Sequence, residues 1–530
     1  MAVFRENSFS SLSSGSLERD SREDDATTPL LESTTPLLGS DLASENDCLT
    51  GSFFSTSSLF LSEKRRISIM VTCAIATLTL DMGLTIIAAP KVRLYESIIC
   101  AKYYSSAGGV SLFQSGGIPE EQCKISEVQA PLARIIGWQV LFDSLPAILL
   151  AIPYGALSDS RGRKPVVMSS FLGLTLSTTW IFFVCWSGLP LQLTWLSSIF
   201  QFIGGGAIVA SAAMETIVTD VVTNEKRAII FFILQATVLC ADILAPPLSS
   251  ILMEYSVWIP CVLGLGIQLL GTAITIIIPE TLHLSVFHRD PAVNSDGNTR
   301  PSLTRQLKTN LASIFRNRKV ATLVISLMIL TIGNESIDFL LQYLSKRYGW
   351  PIAKAAIMLS LRAIVEAVLL LTVLPVLVLV LTKTKIPAMS RDLLIARTSS
   401  VMIVVGFMIL AFSVQVLPAI FGLVIYTCGA GFQAAMMSLL ASLWKSENLG
   451  NVGSMYSVVA MIMSSGGAIA GPFLSETFTW GLELGGVWVG LPFFMSACIC
   501  AIVSVVLWSF RIPKETVTTS VDECDHDREL

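Results

Sequence analysis

Twelve long, mostly apolar stretches recur along the chain, at about 67–90, 135–157, 166–187, 192–217, 228–250, 257–278, 320–343, 355–381, 393–413, 417–443, 453–476 and 485–509. Each is close to the roughly 20 residues that a helix needs to cross hydrocarbon. A helix bonds all its backbone polar groups within itself, which lipid demands. The pattern predicts an all-α membrane protein with 12 transmembrane helices. A polar gap at about 279–319 separates the first six from the last six. The domains that follow are an N-terminal tail (1–60), a six-helix bundle (61–282), a linker (283–319), a second six-helix bundle (320–510) and a C-terminal tail (511–530).

Lysine and arginine set the orientation. Lys64-Arg65-Arg66, Arg161, Arg163, Lys164, Lys226, Arg227, Arg316, Arg318, Lys319, Lys383, Lys385, Arg511 and Lys514 all fall on one side if both termini are cytoplasmic. The opposite loops near 188–191, 251–256, 414–416 and 477–484 carry none. The first outer loop (91–134) and the 344–354 loop carry a few. The first 60 residues are rich in Ser, Thr, Asp and Glu, and this composition predicts disorder. They contain a near-repeat, Asp25-Ala-Thr-Thr-Pro-Leu-Leu and Glu32-Ser-Thr-Thr-Pro-Leu-Leu. Dileucines behind acids resemble the sorting signals that adaptors read on vacuolar or endosomal proteins; a low-complexity duplication is the other reading. In the linker, Leu303, Leu307, Leu311 and Ile314 recur at helical spacing among basic residues. They form either a helix on the inner leaflet or a solvated tether.

Composition narrows the class. The chain is 53% hydrophobic and 14% charged, whereas soluble proteins carry about 25% charged residues. A net charge of −4 gives no basic face for nucleic acid. No phosphate loop, HExxH pair or GxSxG elbow supports ATP hydrolysis or hydrolase chemistry. Eleven cysteines show no metal-ligand spacing, so neither metal nor cofactor is expected and the chain does not read as an enzyme. Cys100 and Cys123 share the first outer loop, and are either a disulfide formed in an oxidising exterior or two free thiols.

An ionisable group at the bilayer centre costs on the order of 3 kcal/mol, so one that persists is paired or faces water. Asp81, Asp242 and Glu335 fall near mid-membrane; Asp143, Asp338 and Glu366 lie within a turn or two, with Arg362 as the lone intramembrane base. These acids are the proton or substrate candidates, because His283, His288 and His526 fall outside every apolar run. Arg362 and Glu366 share a helical face and either neutralise each other or leave Arg362 to an anionic solute or to Asp143. Asp242 lies beside Pro246-Pro247, where a helix break would free carbonyls.

Residues 155–165 read Gly-Ala-Leu-Ser-Asp-Ser-Arg-Gly-Arg-Lys-Pro. Gly155, Leu157, Ser158, Asp159, Gly162, Arg163 and Lys164 match G-x-L-[SA]-D-x-x-G-[RK]-[RK], and the turn resembles the signature loop of the major facilitator superfamily. Gly155 would permit close helix contact, and Gly162 suits a tight turn. The equivalent turn near 382–391 lacks the pattern. The resemblance implies a 6+6 fold with a pseudo-two-fold axis along the membrane normal and a functional monomer moving a small-molecule substrate and protons. It also implies that Asp159 and Arg163, with Arg227 as partner, lock the cytoplasmic side. Helices one, four, seven and ten would line the cavity, which makes Asp81 and Glu335 the favoured pair.

Arg93-Leu-Tyr-Glu-Ser-Ile-Ile-Cys100 with Tyr103-Tyr104, Trp258-Ile-Pro-Cys-Val-Leu-Gly-Leu-Gly and Ile278-Pro-Glu-Thr-Leu282 look like a fungal group of these transporters. That group is often found beside secondary-metabolite genes and is distantly similar to proton-coupled folate carriers. Helix five reads Cys240-Ala-Asp-Ile-Leu-Ala-Pro-Pro-Leu and lacks the glycine-rich signature of drug:proton antiporters. The function implied is proton-coupled efflux of a secondary metabolite at the plasma membrane. The alternatives are proton-coupled uptake of an organic anion or nutrient, and a vacuolar or endosomal location.

Overall fold

The computed structural model describes residues 63–106, 118–222, 227–282, 311–383, 387–447 and 452–511. The dileucine tail, the three histidines, the side chain of Arg227 and most of the linker pattern lie outside the described residues. Of that pattern, residues 311–316 are helical and Ile314 is buried.

Twelve helices among the described residues are long and apolar enough to span a membrane. They are α1 (Lys64–Ser106), α2 (Ser126–Arg161), α3 (Arg163–Ser187), α4 (Leu191–Val221), α5 (Ile233–Tyr255), α6 (Trp258–Thr275), α7 (Arg318–Tyr348), α8 (Ile352–Lys383), α9 (Ala388–Phe412), α10 (Val416–Ser446), α11 (Met455–Leu484) and α12 (Gly486–Ser509). The first six and the last six form two halves, which meet chiefly where α2 packs on α11 and α5 on α8. At the first crossing Gly137 faces Gly471, and a Cβ on Gly471 would collide with the Gly137 carbonyl. Only glycine lets these backbones approach so closely.

Several helices break regularity near mid-membrane, where a break can be repaid by a cavity. Between Arg318 and Tyr348, α7 tightens into a 3₁₀ stretch at Glu335–Phe339. Side chains three apart eclipse in that geometry, so Glu335 and Asp338 project the same way. In α4, a 3₁₀ turn (Leu191–Leu196) and a short helix (Ser197–Gln201) precede the main helix Gly206–Val221. The break turns Ser198 and Gln201 toward α2.

The first helix departs from the sequence expectation. It continues through Pro90 to Ser106, and α2 begins at Ser126, so much of what the pattern assigned to an outer loop is helical. Pro90 followed by Lys91, Arg93 and Glu96 reads locally as a stop. The helix persists because Arg93 and Glu96 are ion-paired to each other and to the segment that follows. Lys91 therefore lies within α1 and not in a loop, and it lines the cavity together with Arg362.

A cavity between two halves, with a charged turn on one face and a stapled clasp on the other

A cavity of about 880 Å³ lies between the halves, lined from α1, α2, α3, α4, α5, α7, α8, α10 and α11. It is at the upper end of the size that small-molecule pockets reach. Its polar groups differ in how far the protein satisfies them. Asp143 accepts from Gln139 Nε2 (3.0 Å), Ser198 Oγ (2.7 Å) and Gln201 Nε2 (2.7 Å). Asp242 accepts from Thr85 Oγ1 at 3.2 Å. Arg362 donates to Glu366 at 3.1 Å along α8. Glu335 and Asp338 lie close enough to hydrogen-bond each other when one holds a proton, and no other donor reaches them among the described residues. Lys91 lines the cavity near Asp143 and Asp338, but forms no ion pair with either.

Among the sequence candidates, the structure brings Asp143, Asp242, Glu335, Asp338 and Arg362 to this lining. Asp81 is outside the lining and close to Asp242, so Asp81 and Glu335 do not form a matched pair there. Arg362 pairs with its helical neighbour and not with Asp143, whose Oδ1 accepts from three neutral donors on α2 and α4. No three His, Cys, Asp or Glu side chains among the described residues are placed to hold a metal.

The charged turn between α2 and α3 is built around Arg163. Its guanidinium binds Asp159, Ser158 Oγ (3.1 Å) and Asp220 Oδ2 (3.2 Å) on α4. Gly162 holds φ 124°, and a Cβ there would strike the Glu280 carboxylate. That carboxylate caps the start of α3, where unpaired N–H groups and the helix dipole favour an anion. Its Oε1 accepts from Arg163 N (2.8 Å) and its Oε2 from Lys164 N (3.1 Å), while Oε1 also takes Thr281 N and Leu282 N. Lys164 Nζ returns to the Ile276 carbonyl at the end of α6 (2.6 Å). The expected contact of Gly155 is not made: nothing lies within 4 Å of its Cβ direction. On the same face Asp159 is 54% exposed and the stretch Leu374–Lys383 of α8 buries no residue.

The halves meet instead on the opposite face. Cys100 and Cys123 form a disulfide, with Cα atoms 5.5 Å apart. The staple holds the 119–124 segment, whose Lys124 and Glu120 join Arg93 and the fully buried Glu96 in one network. Gln129 Nε2 also donates to Glu96 (2.7 Å). The second half docks on this network. Ile352 N donates to Glu120 Oε1 (2.8 Å), Lys346 Nζ to the Lys124 carbonyl (2.6 Å) and Gln342 Nε2 to the Gln129 carbonyl (2.6 Å). Arg134 and Glu476 add an exposed pair at 3.0 Å.

Sequence reasoning missed Lys91, Glu280 and the Glu96 network. Glu280 was visible as the lone acid directly after the sixth apolar run. Lys91 was visible as a base one residue past a proline.

Two six-helix halves around a central polar cavity, clasped together on one face, have the architecture of a membrane carrier. The Major Facilitator Superfamily profile matches residues 71–471, and the chain belongs to that family. It is 52% identical over 457 residues to the MFS efflux pump atnC of Emericella nidulans, covering 86% of this chain and 90% of that one. It is 28% identical to the efflux pump ustT of Aspergillus flavus, over 79% of this chain and 83% of the other. Among solved structures, a mutant form of the nucleoside transporter NupG superposes with a TM-score of 0.60 at 13% identity, over 83% of this chain and 99% of that one. This last likeness concerns the fold alone.

Proposed function

We propose that the chain exports a small organic metabolite across the plasma membrane in exchange for protons. The two relatives named as efflux pumps support the direction. The observation that carries the coupling is the Glu335–Asp338 pair: two carboxylates eclipsed on a 3₁₀ turn, lining the cavity with no other donor among the described residues. Two such charges together favour binding a proton or a cationic group. A proton falling through one pH unit and 100 mV releases about 3.7 kcal/mol, enough for roughly a 500-fold solute gradient.

The Asp159 face is read as cytosolic. Arg161, Lys164, Lys383 and Lys445 stand at helix ends there, which agrees with the positive-inside rule. The disulfide then faces an oxidising exterior. The arrangement is the inward-open state, with the clasp shut outside. In the outward-open state the clasp parts, and Gly155 and Asp159 meet the second half.

The test is mass spectrometry of medium and cell pellet from strains with and without the gene. Export predicts that at least one small molecule moves from medium to pellet when the gene is deleted. Wild type should restore it, and Glu335→Gln with Asp338→Asn should not. A shift from pellet to medium would mean uptake.

A further inference from the structure

Four carboxylates and two bases line the cavity: Asp143, Asp242, Glu335 and Asp338 against Lys91 and Arg362. Two more acids stand behind them, Glu366 bonded to Arg362 and Asp81 beside Asp242. Neither base is free for an anion. Arg362 donates to Glu366 and lies near Asp242 and Asp338, while Lys91 lies near Asp143 and Asp338. With one proton shared by Glu335 and Asp338 and another by Asp81 and Asp242, four negative charges still face two positive ones.

The lining acids are not equivalent. Asp143 has three neutral donors and Lys91 nearby. Asp242 has Thr85 and Arg362, and Asp338 has both bases near it. Glu335 has no base: among the described residues the titratable groups beside it are Asp338 and Tyr426. Its Oε1 lies at the seam between the halves. A Cβ added to Gly467 on α11 would stand 3.4 Å from that oxygen and 3.6 Å from Ser144 Oγ on α2. Both are ordinary van der Waals distances, so a methyl group would fill this notch without a clash. The Ser144 hydroxyl is already spent on the Val140 carbonyl at 2.8 Å. A carboxylate with neither a base nor a donor thus borders open space between the halves.

We propose that the substrate is an amphipathic organic cation, its ammonium group seated at the Gly467 notch against Glu335 and its apolar body along the aliphatic lining. This rests on the carrier reading above and deepens it. A buried charge without a partner is the costly case, and an ammonium brings Glu335 both the opposite charge and the donors it lacks. An organic anion would add to the negative surplus and find both bases occupied. A zwitterion gains the same ammonium contact but carries an acid group into that surplus. A neutral solute would leave the charge of Glu335 unmet.

The experiment uses the full chain purified into lipid nanodiscs and one apolar body carrying four charge patterns. The probes are phenylalanyl-phenylalanine amide as the cation, its N-acetyl form as the neutral compound, the free dipeptide as the zwitterion and the N-acetyl dipeptide as the anion. Titration calorimetry should give the cation a Kd at least about tenfold below that of each of the other three. Glu335→Gln should erase the advantage over the neutral probe while leaving the neutral Kd within about twofold, which shows the cavity intact. Asp338→Asn should keep the larger part of the advantage, because Asp338 already has both bases near it. Gly467→Ala fills the notch without removing a charge and should lower the same advantage.

The proposal is overturned if the neutral or zwitterionic probe binds wild type as tightly as the cation, or if the cation does not bind. It is also overturned if Glu335→Gln or Gly467→Ala leaves the ratio unchanged. These titrations need no gradient. A flat series from a chain that exports solute therefore refutes the cation class alone. An ordered series without proton-dependent export refutes the coupling alone.

Discussion

Replacing Glu335 by Gln together with Asp338 by Asn collapses the steady-state solute gradient from roughly 500-fold to near unity. The expected loss is that large because the substitution removes the proton-binding pair and leaves the cavity in place. Flow down a gradient, measured as exchange of labelled for unlabelled solute, should persist. The measurement is solute accumulation in everted vesicles under an imposed pH gradient, using the metabolite identified by deletion. Single substitutions should have smaller effects, since either carboxylate alone still holds a proton in the eclipsed geometry of the Glu335–Phe339 turn. A double variant that still concentrates solute in a protonophore-sensitive way would move the coupling to Asp242 or Asp81.

The second large effect is on stability. Arg163→Ala removes the cation from Asp220, whose side chain is only 8% exposed. A buried charge stripped of its partner costs about 3–5 kcal/mol. Thr281 Oγ1 at 3.3 Å is the neutral donor that would remain to it. Arg163→Met combined with Asp220→Leu should recover much of the loss, because no lone charge is left behind. Asp159→Asn should cost no more than about 1 kcal/mol in this state, because Asp159 is 54% exposed and its pairing is screened by water. Thermal unfolding in detergent, followed across the four proteins, reads all three outcomes. Equal losses for Arg163→Ala and Asp159→Asn would contradict this ranking.

The architecture was legible in the sequence because membrane spans announce themselves by length and apolarity, a signal that needs no knowledge of neighbours. The 155–164 turn was legible for a similar reason: its spacing is local. The residues around it were less so. Asp220 and Glu280 lie 57 and 117 residues from Arg163, and nothing near them in the chain tells which helix end they will meet. The cavity acids could be named from depth alone, but depth does not say which are already satisfied. Asp143 and Glu335 look alike in sequence. They differ only because α4 breaks at Gln201 and turns its polar side chains toward one of them. Lys91 was hidden by Pro90, whose usual meaning is a helix end. Only the Glu96 network, which joins Arg93 on the helix to Glu120 and Lys124 further along the chain, explains why the helix runs on.

The central claim is that the clasp at Glu120 and Lys124 and the turn at Asp159 are closed in alternation. Spin labels on p-acetylphenylalanine at Ser160 and Lys445 report across the Asp159 face. The same labels at Glu121 and Gln415 report across the clasp face. Both pairs are exposed and join one half to the other. Pulsed electron resonance in nanodiscs, titrated with pH, should show the first distance shortening as the second lengthens, over the same pH interval. Distances that lengthen together, or a clasp face that never opens, would contradict the account.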